Sequence, residues 1–392
     1  MPRPLPVIVL AQFCCTSLWF AGNAIAPELA AQLRQPPAFV AHLTSAVQLG
    51  FITGTLVFAL LALADRFSPS RVFGLSALAA AACNLALNLP APDAPALLAC
   101  RFLTGFFLAG IYPVGMKIAA DYAPAGLGKW LGFLVGALVL GTAFPHLLKS
   151  LPTRLPWQAV AGATSALAAL GGLALWALVP DGPFRRPGPR LQPAAFLSGF
   201  RLPRFRAAAF GYFGHMWELY TFWAFVPLML ATHNQAYPAA ALPVAPWSFA
   251  LIGAGSLACV GSGLLSRRVP ARTLALAALA LSGLCCLASP LLLRTSSPAL
   301  LLSFLLFWSL VVVADSPMFS SLVAQSAPET SRGTALTIVN CLGFALTIGS
   351  IQLTSWLAAH VPPQNLFLVL APGPALGLLA QLTSRQPAAP AA

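Results

Sequence analysis

The sequence is poor in charge, and above all in negative charge. Charged residues make up 7% of its 392 residues, and aspartate and glutamate together number 8. A soluble domain averages about 25% charged residues, so this chain has too few of them to cover a water-facing surface. It is instead 59% hydrophobic, with a mean hydropathy of +0.83. The scarcity of charge excludes a soluble globular protein and indicates that lipid is the main solvent.

Signatures of catalysis and of bound cofactors are also missing. The sequence contains no phosphate-binding loop, no His-Glu-x-x-His pair and no Gly-x-Ser-x-Gly elbow. Its 8 cysteines lie inside apolar runs without a Cys-x-x-Cys pair, which indicates small buried side chains. We therefore expect a protein that is not an enzyme and that has no cofactor and no resident metal.

Twelve apolar runs of roughly 20 residues fill the chain, and each is long enough to cross a bilayer as a helix. The connectors are short except for residues 180–206, an arginine- and proline-rich linker. The sequence predicts an all-α integral membrane protein, monomeric, with six-helix bundles at 1–179 and 207–392. The predicted spans, numbered 1 to 12, are 7–30, 41–64, 72–90, 95–121, 127–148, 157–179, 207–231, 246–265, 272–293, 298–324, 333–358 and 364–383.

Basic residues are distributed unevenly between the two sides that these spans define. A formal charge of +13 would favour nucleic-acid binding in a soluble protein, but here it lies mostly in connectors, where it sets membrane orientation. We therefore expect no nucleic-acid partner, and both termini on the cytoplasmic side of a bacterial inner membrane. That side then holds 16 of the 21 lysines and arginines: Arg3, Arg66, Arg71, Lys117, Lys129, Arg185, Arg186, Arg190, Arg201, Arg204, Arg206, Arg267, Arg268, Arg272, Arg332 and Arg385.

The two halves carry related proline patterns. Pro27 in span 1 is followed 200 residues later by Pro227 in span 7. Pro113 in span 4 has a counterpart in span 10, Pro317, at an offset of 204. Nearly equal offsets at equivalent spans indicate two parallel six-helix repeats, an architecture known from secondary transporters.

Short motifs stand at two connectors and in span 4. The connector after span 2 contains Leu63, Asp65, Arg66 and Arg71, and it resembles the Gly-x-Leu-x-Asp-Arg-x-Gly-Arg-Arg motif of the major facilitator superfamily without its glycines. The start of span 11 resembles its Glu-x-x-Arg-Gly motif, and Arg101 with Gly105 resembles its Arg-x-x-x-Gly motif. The resemblance covers the whole chain and implies a gate built from Asp65, Arg66, Arg71, Glu329, Arg332 and Gly333.

The same resemblance implies proton-linked transport of a small solute by alternating access. The general character of the chain resembles the nitrate/nitrite and cyanate permease-like branch, but the glycine-rich nitrate signature and a mid-span arginine in span 2 or 8 are lacking. The span 5 residues Gly132, Gly136 and Gly141 leave two readings open. They resemble a glycine-proline element of antiporters, or they allow close helix packing.

Two acids fall well inside the predicted spans, away from the span ends. Glu218 lies about halfway along span 7, and His215 precedes it by one helical turn. Asp315 lies in span 10 beside Pro317, which frees backbone carbonyls there. An ionisable group inside a membrane is costly and marks function by default, so we expect Glu218, His215 and Asp315 to carry protons. The alternatives are a structural acid at 218 and a helix cap at 315.

Aromatic and polar residues on the same spans are candidates for the solute cavity. They are Asn23, Trp19, Arg101, Tyr112, Trp217, Tyr220, Phe222 and Trp308. Three methionines near His215, namely Met116, Met216 and Met318, also suit a soft metal such as copper. We expect a proton-coupled secondary transporter that moves a small solute across the membrane by alternating access. The alternatives are a proton-driven efflux antiporter, a copper transporter, and a membrane sensor that does not transport.

The charge distribution predicts that a reporter fused after Arg385 is active only in the cytoplasm. The matched control is the same reporter inserted after Arg294, which the topology places on the opposite side. A fusion after Arg385 that reads as periplasmic would contradict the orientation.

Overall fold

A computed structural model describes residues 4–89, 93–122, 127–151, 155–185, 199–327 and 332–383, and every regular element in these ranges is helical. All twelve predicted spans are present, with ends within a few residues of expectation. Spans 1 to 6 are Pro4–Gln32, Phe39–Leu60, Pro69–Asn88, Ala94–Tyr122, Leu127–Lys149 and Trp157–Leu178. Spans 7 to 12 are Pro203–Ala236, Val244–Leu265, Ala271–Leu292, Pro298–Ser326, Arg332–Leu357 and Pro363–Thr383.

Eleven helical segments in the described residues are long and apolar enough to cross a membrane. Span 7 is not among them, although with 34 residues it is the longest helix described. At about 1.5 Å per residue it exceeds a ~30 Å hydrocarbon slab. Span 7 fails the test of apolar composition and not that of length, because polar side chains such as His215 and Glu218 interrupt its apolar run.

Four spans in the described residues contain a break in their helix. Span 1 is interrupted between Thr16 and Ala21, span 4 between Leu108 and Tyr112, span 10 at Asp315, and span 12 at Ala371, which separates a 3-10 helix from an α-helix. In spans 4 and 10 the helix resumes one residue before a proline, Pro113 or Pro317.

The proline pattern read from the sequence thus corresponds to equivalent breaks in spans 4 and 10. The same offset of 204 relates the side chains that cap these two spans. The Asp93 carboxylate accepts from the Ala96 N–H, and the Ser297 hydroxyl accepts from the Leu300 N–H. Each cap satisfies a backbone donor that the first helical turn leaves open.

Glycines set the closest helix contacts. A Cβ atom added at Gly50 of span 2 would lie 1.9 Å from the Phe102 carbonyl oxygen of span 4. Between the halves, a Cβ at Gly132 of span 5 would lie 2.9 Å from the Cys259 carbonyl oxygen of span 8. Small residues allow such backbone approach, so packing accounts for this span 5 glycine.

We expect Gly50→Ala to destabilise the fold, because the added methyl has no space against span 4. Overpacking of this kind costs about 1–3 kcal/mol or more. Gly162→Ala is the matched control, since no atom lies within 4 Å of its added Cβ and alanine is the better helix former by about 1 kcal/mol. Thermal unfolding of both purified variants in detergent measures the difference. Equal melting temperatures would contradict the close contact.

Candidate functional site

A cavity of about 460 Å³ lies between the two halves. Its wall draws on spans 2, 4, 5, 7, 10 and 11, and it reaches Asp65, Lys117 and Gly333 at its mouth. These residues lie at the ends of spans 2, 4 and 11 that share a side with the 180–206 linker, here termed the linker side. The cavity therefore opens toward the linker side.

An aromatic plug of Trp19, Phe51, Tyr220 and Phe344 closes the inner end of the cavity. Trp19 and Phe51 belong to the first half, and Tyr220 and Phe344 to the second. The ring centroids lie 5.8 Å apart for Trp19 and Tyr220 and 4.6 Å for Phe51 and Phe344. Separations of 4.5–7 Å are the usual range for attractive aromatic pairs.

Beyond the plug, a polar contact joins the halves near the side opposite to the linker. The Gln352 amide of span 11 donates to the Ser45 hydroxyl at 2.8 Å and to the Ala41 carbonyl oxygen at 3.2 Å, both in span 2. With the plug, this contact holds the halves together at one end while they separate at the other.

Span 7 presents two different faces. Tyr212, Met216, Leu219 and Trp223 line the cavity, at the three- and four-residue spacing of one helix face. Between them in sequence, His215 and Glu218 are both at most 1% exposed and point into the second half. The two predicted proton carriers on span 7 therefore lie behind the cavity wall.

The Glu218 carboxylate accepts hydrogen bonds from three side chains. Trp308 Nε1 donates to Oε1 at 2.6 Å, Cys286 Sγ to Oε1 at 3.3 Å, and the Ser282 hydroxyl to Oε2 at 2.9 Å. These donors come from spans 9 and 10. The predicted cavity residue Trp308 is thus a partner of Glu218 and is fully buried.

The one-turn spacing in the sequence suggested that His215 contacts Glu218. In the structure His215 is paired with Asp315 instead. His215 Nδ1 and Asp315 Oδ1 lie 2.8 Å apart, and both side chains are at most 1% exposed. Asp315 occupies the break in span 10 and makes no capping hydrogen bond to the helix that follows. The alternative of a helix cap is therefore wrong.

A profile of the Major Facilitator Superfamily matches residues 8–351, most of the chain. The chain belongs to this superfamily. It is accordingly a transporter and not an enzyme, an integral multi-pass membrane protein that works in a lipid bilayer on small molecules.

Solved structures of the superfamily share the fold. A proton:xylose symporter, XylE, bound to 6-bromo-6-deoxy-D-glucose, aligns with a TM-score of 0.71 at 13% identity, covering 97% of this chain and 94% of its own. A bacterial homologue of the human lysosomal transporter Spinster, inward-facing and unoccupied, aligns with a TM-score of 0.69 at 15% identity, covering 98% of each chain. Identities this low show the fold alone.

Among curated proteins, the niacin transporter NiaP of Acinetobacter baylyi is 39% identical over 98 residues. The match covers 21% of this chain and 21% of that transporter. It thus spans about a fifth of the relative's length, which carries no substrate over to this member of the superfamily.

Arg101 lies behind span 1 and does not line the cavity of this transporter. Its guanidinium donates to the Leu18 carbonyl oxygen at 3.0 Å, to the Trp19 carbonyl oxygen, and to Asn84 Oδ1 at 3.2 Å. The break in span 1 leaves these two carbonyls without helical partners. Arg101 satisfies them in place of the missing helical N–H groups.

The remaining predicted cavity residues divide in two. Tyr112 and Tyr220 line the cavity. Three others pack within their own halves: Asn23 donates to Thr44, Trp217 donates to the Val369 carbonyl oxygen, and Phe222 packs against Trp308. Trp19 belongs to the plug, where it contacts Phe344 of the second half. Sequence reasoning missed Tyr212, Trp223, Asn340 and Phe344, which do line it. For Tyr212 and Trp223 the helical spacing on span 7 was an available signal.

The superfamily's loop motif places Asp65 at the cavity mouth. Ala62, with φ of 50°, begins the short helix Leu63–Arg66 that carries it. Asp65 Oδ1 lies 2.5 Å from Lys117 Nζ. Asp121 lies one helical turn from Lys117, at the i, i+4 spacing that favours an ion pair on one helix. Lys117 contacts Asp65 of another element instead, so tertiary structure overrides the local spacing.

The structure gives fewer contacts for the other predicted gate residues. Arg66, Arg71 and Gly333 are exposed. Glu329 lies outside the described residues, and Arg332 is described only as the first residue of its helix.

The positions of the methionines and of His215 give little support to the transport of a soft metal such as copper. Met116 and Met216 line the cavity, but Met318 is buried elsewhere and His215 points away. In the described part of the chain, no group of three or more histidine, cysteine, aspartate or glutamate side chains could hold a metal ion.

We expect Arg101→Lys to destabilise the protein, because one ammonium group cannot reach both span 1 carbonyls and Asn84. Hydrogen bonds to charged groups contribute about 1.5–3 kcal/mol each. Arg294→Lys, on a connector, is the control and should melt like the parent. Unchanged thermal unfolding of Arg101→Lys would show that the break in span 1 does not depend on this arginine.

Proposed function

We propose that this transporter moves a small solute by alternating access and couples the movement to protons. Glu218 is the coupling acid, and the His215–Asp315 pair is a second protonatable group. The observation that carries the proposal is the position of these three side chains, each at most 1% exposed and each next in sequence to a cavity-lining residue.

The burial of these groups supports a role in proton movement. A charged carboxylate inside a membrane is costly, and proton relays are a common reason for keeping one there. Burial favours the neutral form of Glu218, whereas its three donors favour the carboxylate. Opposed influences of this kind keep both protonation states within reach.

The shape of the cavity supports an inward-open conformation. Its mouth faces the linker side, and the excess of lysine and arginine on that side favours the cytoplasm. Closing the mouth requires the ends of spans 4 and 11 to approach, and parting the aromatic plug would open the other end. Alternating access then consists of these two movements of the halves.

Glu218→Gln tests the coupling. Glutamine keeps the shape of the side chain but cannot ionise, so uphill accumulation of solute in proteoliposomes under a pH gradient should be lost. Exchange of solute at equal pH should persist, because exchange needs no net proton movement. The solute is first selected by thermal shift of the purified protein against a panel, since a ligand of the native state stabilises it.

Glu28→Gln is the matched control, because Glu28 is half-exposed and paired with Lys149. It should accumulate solute as the parent does. A structural role for Glu218 predicts the opposite result for its variant, namely lower stability with coupling intact. If Asp315→Asn alone abolishes accumulation while Glu218→Gln accumulates normally, Asp315 is the coupling acid.

A further inference from the structure

The cavity wall is rich in aromatic rings and almost without charge. Rings come from Tyr112, Tyr212, Tyr220, Trp223 and Phe344. In the described ranges, the wall's acidic and basic side chains are Asp65 and Lys117, which pair with each other at the mouth. The deep part of the wall is therefore aromatic and neutral.

Asn340 is the one amide side chain among the described residues of this wall, which also carries several hydroxyl groups and the Trp223 indole N–H. The Tyr212 hydroxyl donates to Asn340 Oδ1 at 2.7 Å, which joins spans 7 and 11. This bond uses the carbonyl of the amide and leaves its N–H₂ group, which has no other hydrogen bond to the described residues. The Asn340 N–H₂ group is thus available to donate a hydrogen bond to a carbonyl oxygen or a ring nitrogen of a ligand.

The buried charges around the cavity are already engaged. Glu218 accepts three hydrogen bonds, Asp315 lies against His215, and Arg101 donates to the carbonyls of span 1. None of these side chains lines the cavity. A charged solute would lose its hydration without meeting an opposite charge, which is strongly unfavourable.

We propose that the solute of this cavity is an uncharged, planar aromatic compound that carries a hydrogen-bond acceptor such as a carboxamide. The inference rests on the proposed function in taking this cavity as the transport site, but binding itself needs no proton coupling. Rings of the wall would stack on the solute, and Asn340 would orient it. Stacking on the rings of the wall contributes the affinity for the solute. The lack of charged side chains in the deep wall selects neutral solutes over charged ones.

Three related pyridine probes of different charge test this inference. They are nicotinamide, which is neutral, nicotinate, an anion at neutral pH, and 1-methylnicotinamide, a cation. Binding to the purified full chain in detergent is measured by calorimetry, with thermal shift as a second readout. Nicotinamide should bind at least about tenfold tighter than either charged probe. Benzamide should likewise bind more tightly than cyclohexanecarboxamide, which has the amide without the aromatic ring.

Asn340→Leu separates recognition by the amide from simple partitioning into the cavity. This variant should weaken nicotinamide binding by about tenfold. It should also reduce the difference in affinity between benzamide and benzene. Gln325→Leu is the control, because Gln325 is an exposed amide on span 10 that does not line the cavity. It should bind nicotinamide as the parent does.

Tighter binding of nicotinate or of 1-methylnicotinamide would overturn the inference, and so would the absence of binding by all of the aromatic probes. Equal binding to Asn340→Leu and to the parent would overturn the role of the amide. Either failure leaves the coupling test with Glu218→Gln untouched, because that test takes whichever solute the panel selects.

Discussion

The structure depends on satisfying backbone carbonyls that broken helices expose to a lipid solvent. Hydrocarbon offers no hydrogen bonds, so each break must be completed by the protein itself. In span 1 this is done by Arg101, whose guanidinium occupies the carbonyl end of the helix Pro4–Thr16. A cation is favoured at that end by the helix dipole. The break in turn orients Trp19, and with it the plug that joins the halves.

The break in span 10 carries the opposite charge. Asp315 precedes the helix Ser316–Ser326 and so lies at its N-terminal end, where the dipole favours an anion. His215 faces it from span 7. The first half thus buries a cation at a helix C-terminus, and the second buries acids, one of them at a helix N-terminus. In the proposed mechanism, this asymmetry places the coupling groups in the second half, although both halves share the same pattern of spans.

Hydropathy predicted the twelve spans because lipid imposes one length and one composition on every crossing. The proline offsets indicated two repeats, and spans 4 and 10 break next to these equivalent prolines. The break in span 1 was not predicted, because no proline or glycine lies between Ser17 and Phe20. The partners of His215 and Lys117 were also missed. Helical spacing favoured Glu218 and Asp121, whereas the packing of other elements brought Asp315 and Asp65 within reach.

Span 7 connects solute and proton sites in the proposed mechanism. One face of this helix lines the cavity through Tyr212 and Trp223, and another holds Glu218 against spans 9 and 10. Protonation of Glu218 would weaken its three acceptor bonds, because charged acceptors form the stronger hydrogen bonds. A helix loosened on that side is freer to shift, and any shift also moves the ring of Tyr220 in the plug. Coupling then needs no direct contact between proton and solute, since a single rigid element touches both.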